Sequence, residues 1–238
     1  DQMLLQLERN AETQELWGCL ESVEDRTTSK QTYDILYELI DACRNRREIL
    51  EFDEEFAPDT EIQNLLRNLG CFDICFKIFD LMETIEKEPD GSLAEEHQNT
   101  KDIVILCGEL MFWFLLENPA NQEMGFEELE FFLESLDDDI RFHHIIKAIF
   151  KNNERLMRLC AHSHLEDMVD RIIKNGKRPE YLSIMTAISH VGELNIVTNQ
   201  FEIVKQLASP SRLPKLMCFL CPIDHIDYLE KVGLMEPF

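Results

Sequence analysis

The 238-residue chain has little glycine and little proline, eight residues of each, and only two tryptophans. Alternating apolar and polar residues, the pattern typical of β-strands, are almost absent. No apolar run is long enough to cross a membrane, since the nearest candidate, Ile103–Leu116, is too short and contains Glu109. These absences argue against a β-rich fold and against a membrane-spanning segment.

Basic residues are also scarce: the chain has 23 Lys and Arg and 47 Asp and Glu, which gives a net charge of −24. A surface this negative repels nucleic acid and anionic lipid at neutral pH. It also disfavours phosphorylated ligands unless a local basic pocket overrides the overall field. We therefore expect no nucleic-acid partner and no direct membrane contact from this chain, and we expect partners with basic faces.

Motifs for catalysis and nucleotide binding are missing as well. The eight glycines are scattered and form no phosphate-binding loop, and no G-x-S-x-G element occurs. Cys218, Cys221 and His225 supply three potential zinc ligands within an apolar run, whereas structural zinc sites use four. We expect the cysteines to pack as small hydrophobic residues in a reducing compartment, and we expect no catalytic activity and no cofactor.

An acidic run from Glu127 to Asp139 could attract calcium. Asp137, Asp138 and Asp139 are consecutive, and the alternating acidic loop of a calcium site is not present. A solvated helix face is the favoured interpretation. Calcium binding remains a minority alternative.

Apolar residues recur at helical spacing along most of the chain, which predicts many short helices with one buried side each. We expect an all-α fold, an armadillo- or HEAT-like α-solenoid of stacked helix pairs. The chain begins inside such a pattern, so we expect it to be a piece of a longer protein. The predicted helices span residues 3–23, 31–50, 61–69, 101–116, 127–136, 140–150, 164–175 and 178–190.

Helix ends and core positions follow from the same pattern. Capping boxes are expected from Thr60 with Gln63 and from Ser163 with Glu166, because a side chain three residues away can satisfy free amides. Glycines are expected to end two helices in left-handed turns, and Asn152-Asn153 to cap a helix. The glycines are Gly70 and Gly176, and the expected core residues are Leu66, Phe112, Trp113, Phe150, Tyr181 and Leu182.

Five short motifs together resemble the RIH domain, the homology domain that inositol trisphosphate receptors and ryanodine receptors share. The resemblance covers roughly residues 60–207 and depends on the order and spacing of the motifs. They are Leu65-Leu66-Arg67-Asn68-Leu69-Gly70, Asn121-Gln122, Ile149-Phe150-Lys151-Asn152-Asn153, Gly176-Lys177-Arg178-Pro179-Glu180-Tyr181-Leu182 and Asn199-Gln200.

The resemblance implies an armadillo-type domain over 59–208, preceded by N-terminal helices over 1–58 and followed by a helical extension over 209–238. It also implies a location on the cytoplasmic side of the endoplasmic reticulum membrane, within a homotetrameric calcium-release channel. Partners would be other domains or subunits of that channel.

This chain is more similar to the family's domains that transmit movement than to those that bind ligand. Helix 61–69 offers only Arg67, and Glu117-Asn118-Pro119-Ala120 stands where the ligand-binding version is basic. Two alternatives remain open: an inositol phosphate-binding armadillo domain and a free-standing armadillo adaptor that binds other proteins.

Overall fold

A computed structural model describes residues 29–49, 56–80, 95–137, 140–160, 162–175 and 178–217. Within these ranges most residues are helical, and two short antiparallel hairpins are the only sheets. The prediction of an all-α helical-repeat fold is confirmed. The helix predicted over residues 3–23 lies outside the described residues.

The chain divides into two compact units, residues 1–149 and residues 150–238. In the first unit the elements follow one another with short turns wherever the structure describes the connection. They are α1 (Ser29–Cys43), β1 (Arg44–Ile49), β2 (Phe56–Pro58), α2 (Thr60–Asn68), α3 (Cys71–Asp80), α4 (Glu95–Leu115), α5 (Pro119–Glu127), α6 (Leu129–Glu134), a 3₁₀ turn (Ser135–Asp137) and α7 (His143–Phe150), whose last residue begins the second unit.

The helix predicted over 31–50 is wrong beyond Cys43. From Arg44 the backbone forms β1, which pairs antiparallel with β2, and Asp59 N donates to Cys43 O over 2.7 Å. The sequence from Arg44 to Glu48 contains no apolar residue. A helix in a protein is stabilised mainly by packing an apolar face. This charged stretch has no apolar face to pack, so α1 ends before it.

The core of the first unit is built around α4, which packs against α1, α2 and α3. Val104, Cys107, Met111 and Phe114 of α4 are fully buried, as expected for a helix that is apolar on several sides. A cluster of phenylalanine rings from α3, α6 and the segment before α7 extends this core. Ring centroids lie 4.9 to 6.3 Å apart in this cluster, which contains Phe72, Phe76, Phe79, Phe131, Phe132 and Phe142.

Helices and one small hairpin also make up the described part of the second unit. Its core is mostly aliphatic, with Leu165, Val169 and Ile184 at most 1% exposed. No helix in the described parts of the chain is both long and apolar enough to cross a bilayer. The elements are α8 (Glu154–Leu159), α9 (His162–Asn175), α10 (Pro179–Ala187), β3 (His190–Val191), β4 (Leu194–Asn195), α11 (Val197–Leu207) and α12 (Leu213–Met217).

One turn geometry occurs twice between helices. After α4, Glu117 adopts a φ of 57° and Asn118 caps α5, its Oδ1 accepting from Asn121 N at 3.3 Å. After α7, Asn152 adopts a φ of 56° and Asn153 caps α8 in the same way. The expectation that Asn152-Asn153 caps a helix is confirmed, and a left-handed residue followed by an asparagine cap reverses the chain at both places.

Candidate functional site

A buried cluster of amide side chains joins helices in the first unit. Gln63, Asn118, Asn121 and Gln122 are each at most 3% exposed. Buried polar groups are destabilising unless hydrogen-bonded, so the partners of these four amides define what the cluster does. We call these four residues the amide cluster.

Gln63 of α2 reaches the end of α4. Its Nε2 donates to Trp113 O at 2.7 Å and to Leu116 O at 2.8 Å, and its Oε1 accepts from Asn118 Nδ2 at 3.1 Å. Carbonyls at a helix end have no intrahelical donor. Gln63 therefore supplies donors to two of them and links α2 to the start of α5 through Asn118.

The capping box predicted from Thr60 and Gln63 is wrong. Asp59 is the N-cap of α2, and its side chain accepts from Glu61 N at 3.0 Å and Ile62 N at 3.1 Å. The helix thus begins at Thr60, one residue after its cap. Aspartate caps a helix as well as serine or threonine does. Because Asp59 caps α2, the Gln63 side chain is not needed at the helix start and faces the core.

Asn121 connects three helices at once. Its Nδ2 donates to Phe114 O of α4 at 2.8 Å, while its Oδ1 accepts from Arg67 Nη1 of α2 at 2.7 Å. The neighbouring Gln122 donates from Nε2 to Ala148 O of α7 at 2.8 Å. The amide cluster therefore ties α2, α4, α5 and α7 together by side-chain hydrogen bonds.

The second unit repeats this arrangement on a smaller scale. Asn199, 5% exposed, donates from Nδ2 to Met157 O and to Ile188 O, each at 2.8 Å. Gln200 donates from Nε2 to Ser189 O at 3.1 Å. Both Asn-Gln pairs were visible in the sequence as motifs, but their role was not, because the acceptors are main-chain carbonyls that sequence does not distinguish.

Three of the six expected core residues are buried: Leu66, Phe150 and Tyr181. The prediction for Leu182 is wrong, since it is 53% exposed. Neighbouring residues point about 100° apart on a helix, and Tyr181 takes the inward position on α10. Phe112 and Trp113 are half-buried.

Trp113 lies at the edge of the core and not inside it. The Arg44 guanidinium stands 5.0 Å from the centre of the Trp113 ring and is ion-paired with Glu109. A cation over the face of an indole is attracted by the ring quadrupole. This explains why Trp113, on the helix at the centre of this core, keeps one side near solvent.

The remaining predicted caps have mixed outcomes. Gly70 ends α2 with a φ of 75°, and its N donates to Arg67 O at 3.1 Å. The box of Ser163 with Glu166 is wrong, because α9 begins at His162 and the Glu166 carboxylate accepts from Arg212 Nη2 at 2.9 Å. Gly176 lies outside the described residues.

Arg212 anchors the start of α12 to α9. Its Nε donates to Asp170 Oδ1 at 2.7 Å, and its Nη2 donates to Glu166 and Asp170 at 2.9 Å. Hydrogen bonds to Asp170 and then to Glu166 raise the pKa of Arg212. A planar guanidinium that meets two carboxylates is a geometrically specific contact, and Gln206 of α11 accepts from the same side chain.

Five described cysteines are free and buried: Cys43, Cys71, Cys75, Cys107 and Cys160. Burial raises the pKa of the Cys160 thiol to about 12, and it also raises the pKa of Cys43. The thiolate is the reactive form of cysteine, so these two side chains are poor nucleophiles at neutral pH. Cys218, Cys221 and His225 lie outside the described residues.

Across the described ranges, no three His, Cys, Asp or Glu side chains are grouped so as to hold a metal ion. Asp138 and Asp139, part of the acidic run, are not among those residues. Calcium binding therefore stays an untested minority alternative.

The negative charge is not shared by the two units. Residues 150–238 contain eleven acidic and eleven basic residues, so residues 1–149 carry the whole net charge of −24.

Comparison with known proteins identifies the family. No curated protein matches the chain significantly. The family model of the RIH domain matches residues 33–217, which is more than half of the chain and includes most of both units. The chain therefore belongs to the RIH domain family and is a module of the inositol trisphosphate and ryanodine receptor type.

Proposed function

We propose that this chain is a non-catalytic cytosolic module of an inositol trisphosphate receptor-like calcium-release channel. In this proposal it lies on the cytoplasmic side of the endoplasmic reticulum membrane and relays conformational change between other domains or subunits of a homotetramer. Membership of the RIH family supports this assignment.

The amide cluster is the observation that carries the relay role. It joins helix ends through buried hydrogen bonds, which are strong and directional in a low-dielectric interior. Close-packed helices with such ties move as a semi-rigid body, so a displacement at one helix reappears at another.

Electrostatics supports protein partners over phosphorylated ligands. The first unit carries the whole net charge of −24, which favours basic faces of neighbouring domains. Arg67, the one basic residue of α2, donates to Asn121 inside the amide cluster. Isothermal titration with inositol trisphosphate tests this directly, because micromolar or tighter binding would favour the inositol phosphate-binding alternative.

The relay role is testable in a chimeric channel. The corresponding RIH domain of an inositol trisphosphate receptor is replaced by this chain, and agonist-evoked calcium release from vesicles is measured. We expect Asn121→Ala to reduce maximal release at saturating agonist, because the coupling between agonist binding and gating is weakened. The control is Asn68→Ala, at an exposed position on α2.

Equal release from the two variants, in channels that assemble and bind agonist normally, contradicts the relay role. The adaptor alternative predicts a different result, in which this chain does not support gating with or without the substitution.

A further inference from the structure

The connection between α11 and α12 contains a sequence motif that the relay role does not use. It reads Ser209-Pro210-Ser211-Arg212, and the chain has no other Ser-Pro or Thr-Pro pair. Proline-directed serine kinases recognise a serine followed by proline, and many of them also require a basic residue at the third position after the serine. Short motifs occur by chance in many chains, so the surroundings of these four residues decide what the motif can do.

The motif forms a turn at the surface of the second unit. Ser209 O accepts from Arg212 N at 3.0 Å and from Leu213 N at 2.8 Å. Pro210 and Ser211 are exposed, Ser209 is half-buried, and the hydroxyls of the two serines lie 3.4 Å apart. The hydroxyl that a kinase would modify is therefore near the surface. The backbone around it is folded into a turn, whereas kinases bind this part of a substrate in an extended conformation.

Arg212, the basic residue of the motif, is already bound to other side chains. Its guanidinium donates to Glu166 and Asp170 of α9 and to Gln206 of α11, and only 15% of its side chain is exposed. A kinase that recognises this arginine must remove it from those three partners. The motif therefore becomes accessible to a kinase only when α12 detaches from α9.

A phosphate on Ser209 would favour the detached form. Ser209 and Arg212 are three residues apart in one turn, a spacing at which side chains are neighbours. A phosphoserine carries a charge of about −1.5 to −2 at neutral pH. In the contact between α9 and α12, two carboxylates already share one guanidinium. The added charge therefore repels Glu166 and Asp170 and also competes with them for Arg212.

We propose that Ser209 is a phosphorylation site, modified by a proline-directed kinase when α12 detaches from α9, and that the phosphate then keeps α12 detached. The Ser209 hydroxyl oxygen attacks the γ-phosphorus of MgATP, a new O–P bond forms, and the bond from that phosphorus to the bridging oxygen breaks to release ADP. The hydroxyl proton passes to the catalytic aspartate of the kinase. Because the kinase reacts only with the detached form, modification shifts the population towards it. This inference goes beyond the relay role and concerns the second unit alone.

The first experiment locates the phosphate. The full chain is incubated with MgATP and a purified proline-directed kinase that requires a basic residue at the third position, and the product is mapped by mass spectrometry. We expect one phosphate per chain, on Ser209. Ser209→Ala should abolish incorporation, and Ser211→Ala, the matched control, should retain it. No incorporation, or incorporation that survives Ser209→Ala, overturns the proposal.

The second experiment tests whether the carboxylates of α9 control the reaction. Glu166→Gln combined with Asp170→Asn leaves the motif intact and weakens the hold on Arg212. The initial rate of phosphorylation should rise roughly three- to tenfold, as expected from the loss of two partly exposed ion pairs. The matched control is Asp167→Asn, which removes the ion pair with Arg171 on the same helix and should leave the rate unchanged. Equal rates in the parent and both variants overturn the proposal.

The third experiment is hydrogen exchange on the phosphorylated chain. Exchange should be faster than in the unmodified chain over Leu213–Met217, with little change in α9. Unchanged or slower exchange in α12 overturns the claim that the phosphate keeps this helix detached. All three experiments use this chain alone, whereas the relay role is tested in the chimeric channel, so failure of one proposal is distinguishable from failure of the other.

Discussion

Asn121 and Asn199 occupy the same place in two different helices. Each is the third residue of its helix, and each donates its Nδ2 over 2.8 Å to a carbonyl at the end of the preceding helix, Phe114 O or Ile188 O. Since carbonyls at helix ends lack intrahelical donors, this asparagine satisfies one of them at each joint and helps fix how the two helices meet. The two units thus share one way of joining helices.

Gly125→Ala should destabilise the protein. A Cβ at this position would stand 2.9 Å from Ile149 Cγ1 and 3.0 Å from Leu115 Cδ2, both in fully buried side chains. Overpacking typically costs about 1–3 kcal/mol, which outweighs the gain of up to about 1 kcal/mol from replacing a helical glycine. Urea unfolding measures the difference.

The matched control is Gly108→Ala in α4. There the nearest atom to a new Cβ is Ile140 O at 3.8 Å, an ordinary contact. The higher helix propensity of alanine should then raise the free energy of unfolding by about 0.5–1 kcal/mol. Equal effects of the two substitutions would contradict the close approach of α7 to α5.

Gly70→Ala tests the turn between α2 and α3. Gly70 has a φ of 75°, a left-handed conformation that costs other residues about 1–2 kcal/mol. We expect a loss of that size in thermal or urea unfolding. Gly70→Asn should lose less, because asparagine tolerates this conformation better. An alanine variant as stable as the parent would show that the turn readily adopts another geometry.

Arg212→Ala should release α12 locally. Arg212 is the side chain whose donors reach Glu166, Asp170 and Gln206. Hydrogen exchange should speed up over Leu213–Met217, with little change in α9, whose own packing does not depend on Arg212. High salt should produce part of the same effect in the parent protein by screening. Unchanged exchange in α12 would mean that its apolar contacts hold it in place without Arg212.

Stability should fall at alkaline pH, partly because of Cys160. Burial raises the pKa of its thiol from 9.0 to about 12. Between these values the unfolded state has lost the proton and the folded state keeps it, so the free energy of unfolding decreases as pH rises. One group contributes about 1.4 kcal/mol per pH unit in that window. Cys160→Ala should flatten the dependence measured by urea unfolding from pH 8 to 11.

The helical content of the fold is predictable because the helices carry apolar residues at helical spacing, such as Leu165, Met168 and Val169 of α9. The strand at residues 44–49 is not predictable, because its partner, Phe56–Pro58, follows an acidic connector with no hairpin signal. Leu182 was assigned to the core because it follows Tyr181 in a motif, and a motif does not show which neighbour points inward.

The amide cluster was only half predictable. Asn121-Gln122 and Asn199-Gln200 stand out as sequence motifs, whereas the spacing of Gln63 from Thr60 predicts a capping box that does not form. Polar residues on a helix normally indicate solvent exposure. Their burial here depends on carbonyls left free at the end of a helix 50 residues away, as at Trp113, and that information exists only in the tertiary structure.

The most direct test of the amide cluster is native-state hydrogen exchange on Asn121→Ala, with Asn68→Ala as the control. Loss of the buried amide leaves Phe114 O and Arg67 without their partner, which should cost about 1–3 kcal/mol. We predict that α2, the last turn of α4 and the first turn of α5 lose protection together in Asn121→Ala and keep it in Asn68→Ala. A loss confined to the first turn of α5 would contradict the claim that these helices are locked into one body.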